Sequence, residues 1–249
     1  MASTAQRYGI ILSSAVVLAL IAVAVWNENV RNYLRFVSGR IGTESTIGER
    51  LTEFNDEVSS RLQPVFERNG VSWPCREIVL VGLKEERELR VYARAETDSL
   101  WKLIITYPVL GASGSAGPKL QEGDEQVPEG VYAIESLNPN SRYHVSMRLN
   151  YPNAFDRAMA ERDGRTQLGG DIMIHGGSVS IGCLAVGNEA AEDLFVLAAN
   201  AQTRTTKVVV LPSLNLSSVR NTMSAAPPWL ASLYDSLAVE VSTLGIVSH

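Results

Sequence analysis

The stretch from Ile174 to Cys183 carries the residues best suited to covalent chemistry. It reads Ile-His-Gly-Gly-Ser-Val-Ser-Ile-Gly-Cys and places His175 eight positions before Cys183. The chain has only three histidines and two cysteines, so one of each in a short glycine-rich segment is an unusual concentration of reactive groups. In acyl transfer through a thiolate, an imidazole takes the thiol proton and backbone N–H groups stabilise the oxyanion. The segment therefore predicts an acyl-transfer site with Cys183 as nucleophile and His175 as general base.

Three neighbouring residues are predicted to support this pair. Gly182 and Cys183 can offer backbone N–H groups to an oxyanion, and Gly176 lets the backbone come close beside the base. Ser180 either bonds within the turn or supports the base. A helix that begins shortly after the motif, together with the imidazole, is expected to lower the pKa of the Cys183 thiol. The structural alternative is that the cysteine is a small core residue and the histidine a buried, satisfied one.

The motif resembles the active-site signature of the L,D-transpeptidase (YkuD) family, most closely its YafK-like branch. Four further segments resemble the same branch. They are Gly-Pro-Lys at 117–119, Gly-Asp-x-x-Val-Pro-Glu-Gly-Val-Tyr at 123–132, Ser-Arg-Tyr-His at 141–144 and Leu-Asn-Tyr-Pro-Asn-Ala-Phe-Asp-Arg at 149–157. The likeness covers roughly residues 76–200. It implies a β-sandwich-like catalytic domain in which the nucleophile falls on Cys183, the base on His175 and the small hydroxyl residue on Ser180. It also implies that a backbone carbonyl orients the base.

The sequence departs from the family pattern at two positions near the cysteine. Many members have a histidine where Ile181 stands and an arginine where Ala185 stands. The resemblance therefore leaves open whether an amine or water accepts the acyl group. Substrate contacts are predicted at four more residues, with surface or turn roles as the alternative: His144, Lys119, Asp124 and Tyr151.

Composition limits the other classes of function. The net charge of −5 argues against general nucleic-acid binding, which usually needs a basic face. Two cysteines cannot form a disulfide framework. A Cys75–Cys183 bridge would disable the site, so both are expected to be free thiols. A zinc site from His144, His175 and Cys183 lacks paired-ligand spacing, and no metal or cofactor is predicted.

The N-terminus contains an uncharged and largely apolar run from Gly9 to Trp26. At helical rise its 18 residues span about 27 Å, enough for a marginal membrane crossing. Ala22-Val23-Ala24 also fits a signal-peptide cleavage site. We expect a signal-anchor or signal peptide over 1–26. The arginines that follow the run do not favour export, so placing the domain on the periplasmic side of the inner membrane, anchored or secreted, follows from the resemblance alone.

The rest of the chain predicts a mainly β domain with peripheral helices. A linker and an amphipathic helix over Thr46–Arg68 fill residues 27–75, the catalytic domain covers 76–211, and a helical extension covers 212–249. Strands are predicted at 77–95 (a hairpin), 100–109, 131–136, 143–150 and 207–211, and helices at 153–162, 187–201 with Asn188 as N-cap, and 227–244. A long loop over 110–130 is expected to flank the site, with Gly130 in a turn conformation that other residues resist.

The sequence thus predicts a cysteine acyl-transfer enzyme that acts on peptidoglycan stem peptides outside the cytoplasm. An endopeptidase or amidase that cleaves crosslinks or releases a wall-attached protein is the alternative within the same chemistry. A wall-binding module with an inactive site is the alternative without catalysis.

Overall fold

The computed structural model describes residues 44–95, 100–201, 206–222 and 226–246. The apolar run predicted as a signal-anchor or signal peptide, and all of the linker up to residue 43, lie outside these ranges. Within them, no helix is long and apolar enough to cross a membrane.

Eight strands form one mixed sheet. In chain order they are β1 (Ile78–Leu83), β2 (Glu88–Ala93), β3 (Lys102–Pro108), β4 (Gly130–Ser141), β5 (His144–Leu149), β6 (Met173–His175), β7 (Leu184–Ala185) and β8 (Lys207–Leu211). Their order in the sheet is β3-β2-β1-β8-β4-β5-β6-β7. The β1–β8 and β6–β7 pairs are parallel and the others antiparallel. The hairpin predicted over 77–95 is present as β1 and β2.

The long strand β4 joins two halves of the sheet. Its first residues, Gly130–Ala133, pair with β8, whereas the residues from Ile134 onward pair with β5. Register shifts between Ile134 and Ser136 interrupt the second ladder, and such irregularities bend a strand. The expected mainly β domain with peripheral helices is present, but its strands form one continuous mixed sheet rather than two stacked sheets.

Helices cover both faces of the central strands. Leu80 and Val208 pack in the same cluster as helix α1 (Ile47–Arg68) and helix α3 (Asn188–Asn200). Val81 and Val209 point to the opposite face, where they join the cluster formed by helix α5 (Leu230–Thr243). Because side chains alternate along a strand, β1 and β8 need apolar residues at every position to fill both layers. Two shorter helices complete the fold: α2 (Ala154–Arg162) and α4 (Leu216–Thr222).

Helix α1 packs on the domain rather than standing apart as a stalk. Thr46 and Glu49 form a capping box that fixes its start. Its apolar stripe is buried, and Arg61 reaches α3, where it donates two hydrogen bonds to Asp193 Oδ1 at 2.8 and 3.1 Å. Tyr107 of β3 donates to the other oxygen of Asp193 at 2.9 Å. The helix predicted over Thr46–Arg68 is therefore confirmed, with Thr46 as its N-cap, and belongs to the core of the described unit.

Candidate active site

Cys183 immediately precedes strand β7 and is half-buried. Its N–H donates to Ser180 Oγ at 3.1 Å, which closes the turn that presents the thiol. The sulfur accepts a hydrogen bond from Met173 N at 3.4 Å, and the thiol lies 3.4 Å from the carbonyl oxygen of Asp171, to which it can donate. These contacts fix the sulfur against the beginning of strand β6. Of the two roles predicted for Ser180, the structure shows the bond within the turn.

His175 ends strand β6, which is the neighbour of β7. The parallel register pairs Ile174 with Leu184 and His175 with Ala185, so the predicted base lies in the strand that pairs with the residues directly after the predicted nucleophile, Cys183. Ring nitrogen Nδ1 lies 2.7 Å from Gly176 O. A carbonyl can only accept, so Nδ1 carries the proton and Nε2 keeps its lone pair. The backbone carbonyl therefore orients an imidazole that can take up a proton at Nε2.

The two reactive groups are electrically neutral near neutral pH. Burial raises the pKa of the Cys183 thiol above its ordinary value, and this outweighs the opposite effects of the Met173 N–H, Ser180 and the Lys119 ammonium. Burial also lowers the pKa of His175, and the hydrogen bond with Gly176 only partly offsets this. The expected lowering of the thiol pKa is therefore wrong. The desolvation of a charged sulfur in this half-buried position exceeds the stabilisation that its surroundings supply.

The two N–H groups predicted for the oxyanion are bonded to serine hydroxyls. Cys183 N donates to Ser180 Oγ as described, and Gly182 N donates to Ser113 Oγ at 2.7 Å. Ser113 in turn donates to Glu125 O at 2.6 Å. A substrate carbonyl that uses these donors must displace the hydroxyl oxygens. The oxyanion roles of Gly182 and Cys183 stay predictions, as does the supporting role of Gly176.

The glycine pair after the base is locked to the start of helix α3. Asn188 Oδ1 accepts a hydrogen bond from Gly177 N at 3.0 Å. A Cβ on Gly176 would lie 2.6 Å both from that Asn188 oxygen and from the carbonyl oxygen of Tyr143, so only glycine fits. The N-cap of α3 is Gly187, with φ of +83°, and not Asn188 as predicted. Asn188 is the first helical residue, and its side chain holds the active-site turn.

The segment between β3 and β4 packs against strand β7. Gly111 pairs with Ala185 through an isolated bridge, and a Cβ on Gly111 would lie 2.5 Å from Ser178 O. Lys119 is buried and donates to Asp124 Oδ1 at 2.5 Å and to Gln121 O at 2.9 Å. Burial alone would raise the pKa of Asp124, but backbone N–H groups and Lys119 together lower it. Both predicted substrate contacts thus hold the loop in shape, and their contact with substrate stays a prediction.

The base of this loop rests on a buried ion pair. Lys84 Nζ donates to Glu129 Oε1 at 3.0 Å and also to the carbonyls of Gly117 and Val127. Gly130 follows, and its φ is not positive, so the expected turn conformation is wrong. Glycine is required at this position because a larger residue does not fit: a Cβ there would lie 2.7 Å from the Tyr132 hydroxyl.

The two remaining predicted contacts lie away from solvent. His144 is buried, with Nε2 at 2.7 Å from Glu192 Oε1 and its ring tilted against Phe54 at a centroid distance of 5.4 Å. Tyr151 is buried and donates to Leu168 O at 3.1 Å. Burial of both side chains does not favour contact with substrate, and that role stays a prediction for His144 and Tyr151. Among the described residues, no group of three or more His, Cys, Asp and Glu side chains is arranged to bind a metal ion.

Comparison with known families adds to this geometry. The YkuD profile, described as an L,D-transpeptidase catalytic domain, matches residues 76–210, which is more than half of the chain. This chain belongs to the YkuD family. The predicted resemblance is thereby confirmed, and the matched range contains every strand of the sheet in whole or nearly so.

Individual relatives cover only part of their own length. The Escherichia coli K12 protein named "Putative L,D-transpeptidase YafK" is 38% identical over 114 residues, which are 45% of this chain and 43% of that protein. The match thus spans less than half of the relative. Among solved structures, the helical cell shape determining protein Pgp2 of Campylobacter jejuni has a TM-score of 0.41 and 23% identity, with 55% of this chain and 48% of that chain covered. The Mycobacterium tuberculosis L,D-transpeptidase 1 has a TM-score of 0.32 and 16% identity, with 54% and 62% covered.

The two departures from the YkuD pattern occupy different environments. Ile181 is exposed beside the turn, whereas Ala185 is fully buried and its backbone pairs with Gly111. Neither the Ile181 nor the Ala185 side chain therefore places a charge beside Cys183 in this YkuD chain. Both cysteines of this YkuD chain are free thiols, and burial raises the pKa of Cys75 as well.

Three residues of the site were not identified from sequence: Ser113, Tyr143 and Asn188. Ser113 reaches the nucleophile turn from 69 positions away, and no local pattern marks that contact. The ring of Tyr143 stacks on His175, with a centroid distance of 4.6 Å. The Ser-Arg-Tyr-His segment drew attention to this tyrosine only as a point of resemblance. Asn188 was recognised as a helix-start residue, but its bond to Gly177 depends on the tertiary fold.

Proposed function

We propose that this YkuD domain catalyses acyl transfer on peptidoglycan stem peptides through a thioester on Cys183. One observation carries the proposal. The Nδ1 atom of His175 is tied to Gly176 O, so that Nε2 keeps a lone pair on the strand next to the nucleophile. Membership of an L,D-transpeptidase family supplies the reaction class, and the name of the E. coli relative agrees with it.

The first half-reaction forms the thioester. The sulfur of Cys183 attacks the carbonyl carbon of a diamino-acid residue in the stem peptide while the thiol proton moves to His175 Nε2. The negative charge on the carbonyl oxygen is stabilised by the backbone N–H groups of Gly182 and Cys183, once the serine hydroxyls have been displaced. The C–N bond then breaks, and the leaving amine takes the proton from the imidazolium.

The neutral resting pair determines when the nucleophile becomes reactive. Because burial raises the thiol pKa and lowers that of His175, a thiolate–imidazolium pair is not the resting state. Proton transfer therefore accompanies the attack on the bound substrate. This restricts acylation to groups that dock in the site.

The second half-reaction releases the enzyme. An amine that attacks the thioester gives a crosslink or an attached wall protein, and its proton passes to His175 and then to the departing sulfur. Water in the same position gives hydrolysis. The absence of a cationic side chain at Ile181 and Ala185 is the observation that keeps hydrolysis as the second candidate.

The proposal also assigns a location. Stem peptides lie outside the cytoplasm, so the domain works on the periplasmic side of the inner membrane, either anchored through the run from Gly9 to Trp26 or released after its cleavage. The partners are then the stem peptides and, for transfer to a protein amine, a wall-attached protein.

Incubating purified muropeptides with the full chain tests the proposal. New crosslinked species detected by mass spectrometry indicate transfer, and shortened or separated stems indicate hydrolysis. Cys183→Ala is the inactive control, and Cys75→Ala is the matched control because that buried thiol lies outside the proposed site. Binding to muropeptides without any product would support a wall-binding module instead and would overturn the enzymatic proposal.

A further inference from the structure

The face of the catalytic imidazole is covered by one aromatic ring. Tyr143 stacks on His175 with a centroid distance of 4.6 Å and an angle of 27° between the rings. His175 is 2% exposed, whereas Tyr143 is 40% exposed. The tyrosine therefore lies between the base and solvent, with its outer face in water and its inner face on the imidazole.

An unusual backbone conformation places this ring. His144, the next residue, has φ of +78°, a region that residues with a side chain rarely adopt. Such a conformation persists only where the surrounding contacts hold it. Here the His144 ring is bonded to Glu192 at 2.7 Å and packs against Phe54 of helix α1. The N–H of Tyr143 also donates to Ser141 Oγ at 3.2 Å.

The same turn touches the backbone beside the base. A Cβ on Gly176 would lie 2.6 Å from the carbonyl oxygen of Tyr143. Gly176 N donates to Val145 O at 3.3 Å, and Ser146 pairs with His175 across the β5–β6 ladder. The turn that carries Tyr143 is thus in contact with the base through both the backbone and the ring.

We propose that Tyr143 is a positioning residue for His175, that its ring holds the imidazole plane while Nε2 receives the Cys183 proton, and that His144 anchors the turn that aims it. The inference rests on the proposed function and extends it to a residue that touches the base rather than the reacting atoms. Among the described residues, Nδ1 has one hydrogen-bond partner, Gly176 O, and a single bond fixes the position of that atom better than the tilt of the ring plane. Stacking restrains the tilt, since offset aromatic pairs have a preferred separation and orientation.

The buried state of the base is consistent with this role. Burial is the main cause of the lowered pKa of His175, and the hydrogen bond with Gly176 acts in the opposite direction. Removing the tyrosine ring would admit water to one face of the imidazole. The ring nitrogen should then titrate closer to the ordinary histidine value.

Three variants of the full chain separate positioning from simple packing. Tyr143→Phe keeps the ring and loses only the hydroxyl, whereas Tyr143→Leu and Tyr143→Met keep apolar bulk and lose the stack. Two quantities are measured: the rate constant of Cys183 acylation by muropeptide donors at saturation, and the pKa of His175 by NMR titration, with His175→Gln used to assign the signal. Melting temperature identifies any variant that has lost its fold, and the other apolar variant then carries the comparison.

We expect Tyr143→Phe to match the wild type within a few-fold. The leucine and methionine variants should acylate about 10- to 100-fold more slowly with little change in KM, the scale of a misplaced catalytic group. Their His175 pKa should rise. Unchanged rates and an unchanged pKa in both apolar variants, or an effect confined to KM, would overturn the inference. A wild-type chain that forms no acyl-enzyme would instead refute the proposed function, while the pKa comparison still tests the stacking effect.

Discussion

The Tyr234 hydroxyl donates a 2.8 Å hydrogen bond to Glu129 Oε2, which joins the C-terminal helix to the loop beside the active site. Both residues are buried, and the other carboxylate oxygen of Glu129 accepts from Lys84 and from Gly117 N. Helix α5 is therefore not a detached extension of the catalytic domain. Its tyrosine helps to satisfy a buried charge at the point where the loop enters strand β4.

Tyr234→Phe should lower the stability of the domain. The phenylalanine keeps the packing but leaves a buried carboxylate with one donor fewer, which typically costs about 1–3 kcal/mol. Chemical denaturation of the full chain measures the loss. Ser236→Ala, on the exposed side of the same helix, is the matched control and should change stability by less than about 0.5 kcal/mol. Equal losses of stability in the two variants would show that the Tyr234 hydroxyl does not stabilise the buried Glu129 carboxylate.

Gly176→Ala should disrupt the site through a single methyl group. The new Cβ would lie 2.6 Å from Asn188 Oδ1 and from Tyr143 O, so the turn after the base must move. We expect the free energy of unfolding to fall by about 1–3 kcal/mol, as for other overpacked positions. The rate of Cys183 acylation should fall further than this loss of stability alone would explain. Gly170→Ala is the control, because nothing lies within 4 Å of a Cβ there. Normal acylation in Gly176→Ala would show that the close packing is not required.

His175→Gln should slow acylation by about 10²–10⁴-fold, the usual contribution of a positioned general base. The lowered pKa of His175 has a defined consequence for the wild type. The base stays deprotonated to lower pH, so the acid limb of the acylation rate should lie below about 6.5, the ordinary histidine value. Rates measured from pH 4 to pH 9 test both statements. An acid limb above 6.5, or one that persists in His175→Gln, would assign the base to another group.

Alkylation of Cys183 by iodoacetamide should be slow at neutral pH. Burial raises the thiol pKa, so the reactive thiolate fraction at pH 7 is below that of an ordinary cysteine and should increase with pH beyond about 8.5. Cys75→Ala removes the other thiol from the measurement. A labelling plateau between pH 5 and pH 7 that disappears in His175→Gln would reveal a resting thiolate–imidazolium pair and contradict the neutral pair.

Local sequence patterns predicted much of the fold. The helix over Thr46–Arg68 was predicted from apolar residues spaced three and four positions apart, and the structure contains it as α1. Lys207–Leu211 is a strand as predicted, and its four apolar residues are buried on both faces. In each case the physical signal lies within one element, so a single sequence contains it. The two-residue strand β7 was not predicted, because so short an element carries no periodic pattern.

Features that depend on distant contacts could not be predicted in the same way. The pKa of the Cys183 thiol was expected to fall because an imidazole precedes it and a helix follows it, yet burial of the folded thiol raises that pKa. Gly130 was expected to serve a turn, whereas the position of the Tyr132 ring explains it. His144 was predicted to contact substrate, but residues of helices α1 and α3 cover its ring.

Intact-protein mass spectrometry during turnover tests the central claim most directly. With muropeptide donors added, the full chain should gain the mass of the donor acyl group, and peptide mapping should place it on Cys183. The adduct should form in Cys75→Ala, be absent in Cys183→Ala, and disappear when an acceptor amine or prolonged incubation in water is supplied. Turnover that persists in Cys183→Ala, or an adduct on any other residue, would contradict the assignment of Cys183 as the nucleophile.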